Sequence, residues 1–208
     1  MYRIPYFKES DSEEVLRFMK AHSFAMLIGS SNNMPSATQV PFLFEERDGI
    51  LYLQGHIMRN TDHHKTFMDN EAALCVFTCA HTYVSARLYA DPHTASTWNY
   101  MSVHARGSIK FVPEGELVEI LRKTTTNYEA DTTSPASFEN LPQDYIDRLI
   151  KAIIGFEIEV TSIENVFKLS QNKDRETFER IAAKLDADGG EAAVIAGEMD
   201  KRKGKLFG

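Results

Sequence analysis

The alternation of apolar and polar residues predicts a chain rich in β-strands. The segments with strand character are short, and turn sequences such as Ser-Asn-Asn at 31–33 and Arg-Asp-Gly at 47–49 separate them. The last segment has the clearest pattern, because Phe156, Ile158 and Val160 alternate with polar residues, as in a strand buried on one face. The predicted strands cover residues 24–28, 37–44, 50–53, 73–79, 81–85, 98–112 and 155–163.

Helical spacing of apolar residues predicts helices at the start, in the middle and at the end of the chain. In the first helix, Val15, Leu16 and Met19 lie on one face, and Ser10 with Glu13 is predicted to form a capping box. A polar stretch at 129–140 is predicted as a surface loop. Because few helices separate the strands, we expect a mainly β (α+β) fold with an antiparallel sheet closed into a barrel. The predicted helices cover residues 11–22, 60–70, 113–128, 142–153, 174–185 and 191–201.

The charge balance argues against a broad nucleic-acid surface. The 208 residues include 23 Lys and Arg against 30 Asp and Glu, a net charge of −7. Cys75 and Cys79 lie in an apolar run without a second cysteine pair, which predicts free thiols and a reducing compartment, the cytoplasm. The acidic N-terminal segment and the absence of a long apolar window predict a soluble protein that is not exported.

The strand at 98–112 combines aromatic and polar side chains on one predicted face. Alternation places Trp98, Tyr100, Ser102, His104 and Arg106 together on that face, which suits a planar ligand that is stacked and held at its polar edge. The alternative is an exposed or interfacial strand face. His104 is a weak candidate for an acid or base, and its alternative role is a hydrogen-bonded interface histidine.

Residues 55–65 gather five potential cations where a strand is followed by a helix. A phosphate monoester at a helix N-terminus is stabilised by the helix dipole and by charge-assisted hydrogen bonds, so this segment is a candidate phosphate site. A solvated basic turn is the alternative. We expect no functional metal, because adjacent histidines on a regular helix do not face one ion. The five residues are His56, Arg59, His63, His64 and Lys65.

Four motifs occur in the order found in PaiB-like proteins, which are FMN-binding negative transcriptional regulators. They are GHIMRN at 55–60, YVSARLY at 83–89, TWNYMSVHARG at 97–107 and FKLSQN at 167–172. The chain resembles this family over nearly its whole length. The resemblance implies the FMN-binding split barrel shared with pyridoxamine-phosphate-oxidase-like flavoproteins, and a homodimer with the flavin at the subunit interface.

The resemblance also implies which residues hold FMN. A basic cluster would bind the phosphate, one strand would lie against the isoalloxazine edge, and two motif segments would supply further contacts. The implied contacts are His56, Arg59, His64 and Lys65 for the phosphate, Gln39, Val40 and Pro41 for the isoalloxazine, and Trp98, Asn99, Tyr100, Lys168 and Gln171 from the two motifs. The chain departs from the family pattern at Thr61, Asp62, Ala86 and Leu88.

The resemblance leaves two functions open. One is a dimeric flavin-binding regulator of transcription. The other is a flavin-dependent oxidoreductase, related to pyridoxamine-phosphate oxidase or to flavin reductases, that acts on a small molecule. We expect a split-barrel domain over residues 1–170 and a helical extension over 171–208, packed on the barrel or on a dimer partner. Direct DNA binding has weak support, because the extension has only four cations at its end, in an acidic chain.

Overall fold

The computed structural model describes residues 1, 4–129, 131 and 133–208. Within these residues, seven strands form one antiparallel sheet, and six α-helices precede, separate and follow the strands along the sequence. The strands are β1 (Phe24–Ser31), β2 (Met34–Pro41), β3 (Leu43–Arg47), β4 (Ile50–Met58), β5 (Ala72–Val84), β6 (Thr97–Phe111) and β7 (Ile153–Lys168). The helices are α1 (Ser12–Ala21), α2 (Asp62–Asp69), α3 (Glu114–Glu129), α4 (Gln143–Ala152), α5 (Arg175–Asp188) and α6 (Gly190–Phe207).

The strands follow the order β2-β1-β5-β6-β7-β4-β3, so β2 and β3 end the sheet. Two tight turns join neighbouring antiparallel strands. Asn32 and Asn33 connect β1 to β2, and Asp48 and Gly49 connect β3 to β4, all four with positive φ. Two successive positive φ values match the right-handed twist of the strands that such turns join. The mainly β antiparallel fold predicted from the sequence is confirmed.

Three predicted boundaries differ from the structure. The strand expected at 37–44 is two strands, because Pro41 ends β2 and the buried Phe42 donates its N–H to the carbonyl of Ser23 (2.9 Å) instead of to a neighbouring strand. The strands expected at 73–79 and 81–85 are continuous in β5. The capping box at Ser10 is wrong, since Asp11 Oδ1 accepts the N–H of Glu13 (3.0 Å).

The chain divides into two compact units. The central unit contains Lys20–Phe77 and His104–Ile163, and the terminal unit contains Met1–Met19, Thr78–Val103 and Glu164–Gly208. Strands β5, β6 and β7 each begin in one unit and end in the other. The boundary near residue 170 stays a prediction. None of the described helices is long and apolar enough to cross a membrane.

The central unit has an apolar cluster to which α3 and α4 contribute. Phe138 is buried in this cluster, so the stretch predicted as a surface loop at 129–140 contributes to the core; residues 130 and 132 of that stretch lie outside the described residues. The cluster consists of Leu117, Leu121, Phe138, Ile146 and Ile153.

A close approach of β6 and β7 requires glycine at 107, because a Cβ there would lie 2.1 Å from the carbonyl oxygen of Glu159.

The terminal unit packs α5 against α6. Buried residues of the two helices include Phe178, Ile181 and Met199. Near the chain start, Glu9 and Asn165 exchange two hydrogen bonds, in which Asn165 Oδ1 accepts the Glu9 N–H (2.8 Å) and Asn165 Nδ2 donates to the Glu9 carbonyl (3.0 Å). These bonds fix the N-terminal segment to β7 within this unit.

Candidate functional site

A pocket of about 340 Å³ lies in the central unit, between β2, the end of β4 and the start of α2. Because β2 ends the sheet order, its outer edge carries main-chain groups that pair with no further strand in the described part of the chain. Such an edge suits a flat, polar-rimmed ligand. The pocket is lined by Ala37, Thr38, Gln39, Val40, Pro41, His56, Ile57, Met58, Thr61, Asp62, His63 and Ile153.

Small residues hold the walls of this pocket close together. A Cβ at Gly55 would lie 3.3 Å from the carbonyl oxygen of Pro41, so glycine allows β4 to approach β2. A Cβ at Gly29 would lie 2.6 Å from the ring of Phe67, so glycine on β1 allows α2 to pack there. The hydroxyls of Ser36 and Thr66, 2.5 Å apart, join β2 to α2. The start of α2 therefore has a fixed position beside β2.

The turn before α2 is closed by side chains. Asn60 has a positive φ of 62°, a conformation that asparagine tolerates. Thr61 Oγ1 accepts the N–H of His64 (3.2 Å) and donates to the carbonyl of Met58 (3.0 Å), so Thr61 is the N-cap of α2. Asp62 Oδ1 accepts the N–H of His63 (2.9 Å). The first amides of α2 are thus partly occupied, and a carboxylate lies at the positive end of the helix dipole.

Two histidines of the pocket carry buried ring nitrogens without a hydrogen-bond partner among the described residues. These atoms are Nδ1 of His56 and both Nδ1 and Nε2 of His63. Burial lowers the pKa of His56. Burial also lowers the pKa of His63, and the nearby Asp62 carboxylate only partly opposes this effect. Both imidazoles are therefore neutral near pH 7, with donors and acceptors left for a ligand.

His64 is positioned differently from His63, although the two are adjacent. Its Nδ1 accepts the N–H of Asn60 (3.1 Å), and its ring packs edge-on against Phe111 at 5.0 Å between centroids. Burial lowers the pKa of His64, and the charges of Arg59 and Lys65 lower it further. Arg59, His64 and Lys65 are not among the residues that line the pocket; Arg59 lies in the turn before α2 and Lys65 in the first turn of α2.

Sequence reasoning counted His63 among the cations but did not assign it as an FMN contact. A helical position turns by about 100° per residue, so two adjacent histidines at a helix start cannot share one environment. The phase of α2 turns His64 toward Phe111 and places His63 in the pocket. Which of the two histidines faces the pocket therefore depends on the residue at which α2 begins, and the Thr61 cap fixes that residue.

Trp98 and Tyr100 lie in a shallow apolar pocket of about 280 Å³ in the terminal unit. Trp98 is half-exposed and contacts the rings of His81 and Tyr83 edge-on, at 5.4 and 6.0 Å between centroids. Cys79 lines the same pocket, and burial raises the pKa of its thiol to about 11, so it is not a thiolate near pH 7. The expected alternation holds along most of β6.

One residue of β6 departs from the predicted outward face. Ser102 was expected on that face and is buried. Asn99 is completely buried, accepts a hydrogen bond from Ser170 Oγ at Oδ1 (3.1 Å) and donates Nδ2 to Met199 Sδ (3.6 Å). The amide of Asn99 therefore joins β6 to the turn after β7 and to α6, within the terminal unit.

The 167–172 motif forms a tight turn in the terminal unit. Gln171 Oε1 accepts the N–H of Leu169 (2.7 Å), and its Nε2 donates to the carbonyl of Phe167. Ser170 has a positive φ of 63°. Lys168 Nζ donates to Thr97 Oγ1, and burial lowers the pKa of this lysine. The polar side chains of the motif are used within the protein.

Of the twelve predicted FMN contacts, six line one of these two pockets, and six line neither: Arg59, His64, Lys65, Asn99, Lys168 and Gln171. Gln39, Val40, Pro41 and His56 line the central-unit pocket, and Trp98 and Tyr100 line the terminal-unit pocket. His104, the candidate acid or base, is half-buried on β6 in the central unit. In the described part of the chain, no three His, Cys, Asp or Glu side chains are grouped to hold a metal ion.

The family model described as "Putative FMN-binding domain" matches residues 1–162. This chain belongs to that FMN-binding family. The membership supports a flavin cofactor, and the site fits one, because buried histidine nitrogens without a partner among the described residues line a pocket beside the edge strand β2 and the start of α2. The PaiB-like resemblance noted from the sequence motifs is confirmed.

Relatives of this FMN-binding protein include one full-length match. The chain is 29% identical over 208 residues to "Protease synthase and sporulation protein PAI 2" of Bacillus subtilis (strain 168), covering 99% of this chain and 100% of that protein. Two solved structures share its fold. The flavocytochrome Anf3 from Azotobacter vinelandii is 16% identical, with a TM-score of 0.58 over 80% of this chain and 72% of its own.

The second solved structure is the FAD and heme binding protein from Mycobacterium smegmatis. It is 13% identical, with a TM-score of 0.55 over 78% of this chain and 73% of its own. At such identities the likeness shows the fold alone. The predicted fold class, an antiparallel split barrel with peripheral helices, is confirmed.

Proposed function

We propose that the central-unit pocket binds FMN, with the phosphate at the start of α2 and the isoalloxazine along β2. The observation that carries this proposal is the set of unpartnered, buried ring nitrogens of His56 and His63 in a pocket at the start of α2. A buried polar atom without a partner is costly, so it marks a position that a ligand completes.

The charges at the start of α2 favour a phosphate, and one residue opposes it. The helix dipole, Arg59 and Lys65 attract an anion, whereas the Asp62 carboxylate at the same helix end repels it. The exposed edge of β2 at Gln39 offers main-chain groups to the polar rim of a flat ring. When bound, FMN supplies electron or hydride transfer.

We propose further that the protein acts as a cytoplasmic homodimer that negatively regulates transcription in response to its flavin. The PaiB-like motifs and the full-length match to the Bacillus protein support this role. The two free cysteines, Cys75 and Cys79, are consistent with a reducing compartment. The implied dimer has the flavin at the subunit interface.

The C-terminal basic run is a poor candidate for direct DNA contact, because its cations are already paired within the terminal unit. Ion-paired side chains release few counterions from DNA, so they add little affinity. We therefore propose that regulation does not use this run to contact DNA. The pairs are Lys201 with Glu198 (2.6 Å), Arg202 with Glu198 (2.7 Å) and Glu14 (2.9 Å), Lys203 with Glu179 (3.0 Å) and Lys205 with Glu9 (3.4 Å).

The same pairing favours one alternative function, a flavin-dependent oxidoreductase that acts on a small molecule. An acidic protein whose basic tail is neutralised is better suited to a small substrate than to a polyanion. His104 is the candidate acid or base for such a reaction, and its contribution would appear as a change in rate at unchanged flavin content.

Visible absorption and native mass spectrometry of the purified protein test these proposals together. A yellow dimer that carries one FMN per chain supports the cofactor and the assembly. Bleaching by added NADH or NADPH favours the oxidoreductase, and a DNA mobility shift that depends on flavin redox state favours the regulator. A colourless protein that takes up no FMN at micromolar concentration, with Lys65→Ala indistinguishable from wild type, contradicts the cofactor proposal.

A further inference from the structure

We infer that His63 contacts the phosphate of the bound flavin and is the side chain by which the pocket distinguishes FMN from riboflavin. The inference rests on the proposed function, since it assumes that the central-unit pocket is the flavin site. It assigns to His63 a role that the family motif gave to the adjacent His64.

The burial of His63 is the first argument. The side chain is only 5% exposed and lines the pocket, yet neither ring nitrogen has a hydrogen-bond partner among the described residues. Its ring packs on Phe67 at 4.8 Å between centroids, an environment that suits a phenyl ring better than an imidazole. Packing alone therefore does not explain a histidine at this position.

The location of His63 is the second argument. It is the second residue of α2, where the helix dipole favours an anion. A neutral imidazole still carries one N–H, which donates to a phosphate oxygen, while the backbone N–H of His63 is already bonded to Asp62. The ring is thus the part of this residue that remains for a ligand.

The contrast with His64 is the third argument. His64 Nδ1 accepts a hydrogen bond from Asn60, and its ring packs on Phe111, so its role is to hold the turn. Replacing His64 by phenylalanine removes the acceptor of the Asn60 N–H, and we expect a lower thermal midpoint. For His63→Phe, by contrast, we expect no loss of folding stability.

The test compares His63→Phe and His63→Gln with wild type by calorimetric titration of FMN and of riboflavin, together with thermal unfolding of the unliganded protein. His93→Phe, which replaces an exposed histidine, is the matched control. We expect both His63 variants to lose about tenfold or more in FMN affinity, the typical effect of one hydrogen bond to a charged group, with riboflavin affinity changed by less than about twofold. We also expect the thermal midpoint of His63→Phe to equal or exceed that of wild type, because two unsatisfied polar atoms are removed.

Each other outcome has a definite meaning. If wild type binds FMN and the His63 variants bind it equally well, the inference is wrong while the proposed function stands. If the variants lose FMN and riboflavin affinity by the same factor, or if His63→Phe unfolds at a lower temperature, His63 is structural and the inference is also wrong. If wild type binds neither flavin, the proposed function fails and this inference fails with it.

Discussion

Arg202 is the centre of a buried ion cluster in the terminal unit, and its replacement by methionine is the most direct test of what holds α6 in place. The guanidinium is 10% exposed and donates to Glu14 Oε1 (2.9 Å) and Glu198 Oε2 (2.7 Å). Its Nε lies 4.0 Å from Glu9 Oε2, close enough for attraction but too far for a hydrogen bond. Methionine keeps an apolar side chain near the Phe167 ring, over which the guanidinium lies, and removes the charge and the donors.

The expected loss of stability follows from the partners that remain. Removing one partner of a buried ion pair costs about 3–5 kcal/mol, because the other charges stay buried. Here Arg17, Lys201 and Lys205 still pair with the three carboxylates, so we expect the lower end, about 3 kcal/mol. For a chain of this length, that corresponds to a fall in the thermal midpoint of about 6–12 °C.

Urea unfolding at neutral pH measures the effect, with Arg17→Met as the control. Arg17 pairs with the same Glu14 but is 76% exposed, so its loss should change the free energy of unfolding by less than about 0.5 kcal/mol. If Arg202→Met loses no more stability than Arg17→Met, the cluster does not stabilise α6 and the reasoning is refuted.

Acid titration of the same variant gives an independent readout. Burial raises the pKa of Glu198, but hydrogen bonds from Lys201 and Arg202 outweigh burial and leave the pKa lowered. A carboxyl with a lowered folded pKa stabilises the fold above its unfolded pKa, and this contribution is lost as pH falls through the folded pKa. We therefore expect the stability difference between wild type and Arg202→Met to narrow on acidification.

Three further predictions concern the central unit. Asp62→Asn should tighten FMN binding about three- to tenfold by removing a negative charge beside the phosphate, whereas Asp69→Asn at the other end of α2 should not; equal titration curves for all three proteins would contradict this. Gly107→Ala should destabilise the fold by about 3 kcal/mol or more in urea unfolding, because its Cβ would collide with a β7 carbonyl, while Gly115→Ala, which meets open space, should not. His56→Phe should reduce the loss of unfolding free energy between about pH 7 and pH 5. Because burial lowers the pKa of His56 in the folded protein, the unfolded chain binds this proton first as pH falls through 6.5, and acid therefore favours unfolding. An unchanged slope of unfolding free energy against pH would refute this role of His56.

Strands could be predicted where apolar and polar residues alternate along the sequence. They could not be predicted where contacts between distant residues set the ends of a strand. Residues 155–163 alternate visibly, and the structure extends that strand at both ends as β7. Pro41 is a local signal for the end of β2, but the hydrogen bond from Phe42 to Ser23 that completes the break has no such signal. The buried Phe138 also looked like part of a polar loop, since its partners come from α3 and α4.

The candidate site was also predictable only in part. The cluster of cations at 55–65 was visible in the sequence, and the structure places His56 and His63 of that cluster in one pocket. The choice between His63 and His64 depended on the phase of α2, which the Thr61 cap sets. Likewise, the basic run at the C-terminus was visible, and so was Glu198 four residues before Arg202, but the partner Glu14 lies 188 positions away in sequence.

The two compact units have a consequence for how the chain is made. The terminal unit takes its residues from three separate segments of the sequence, so Glu14 can pair with Arg202 only after the intervening residues have been synthesised. The central unit, by contrast, has all its residues once Ile163 is made. Synthesis therefore allows the central unit to fold before the Glu14–Arg202 pair forms, a contact that closes a loop of nearly two hundred residues.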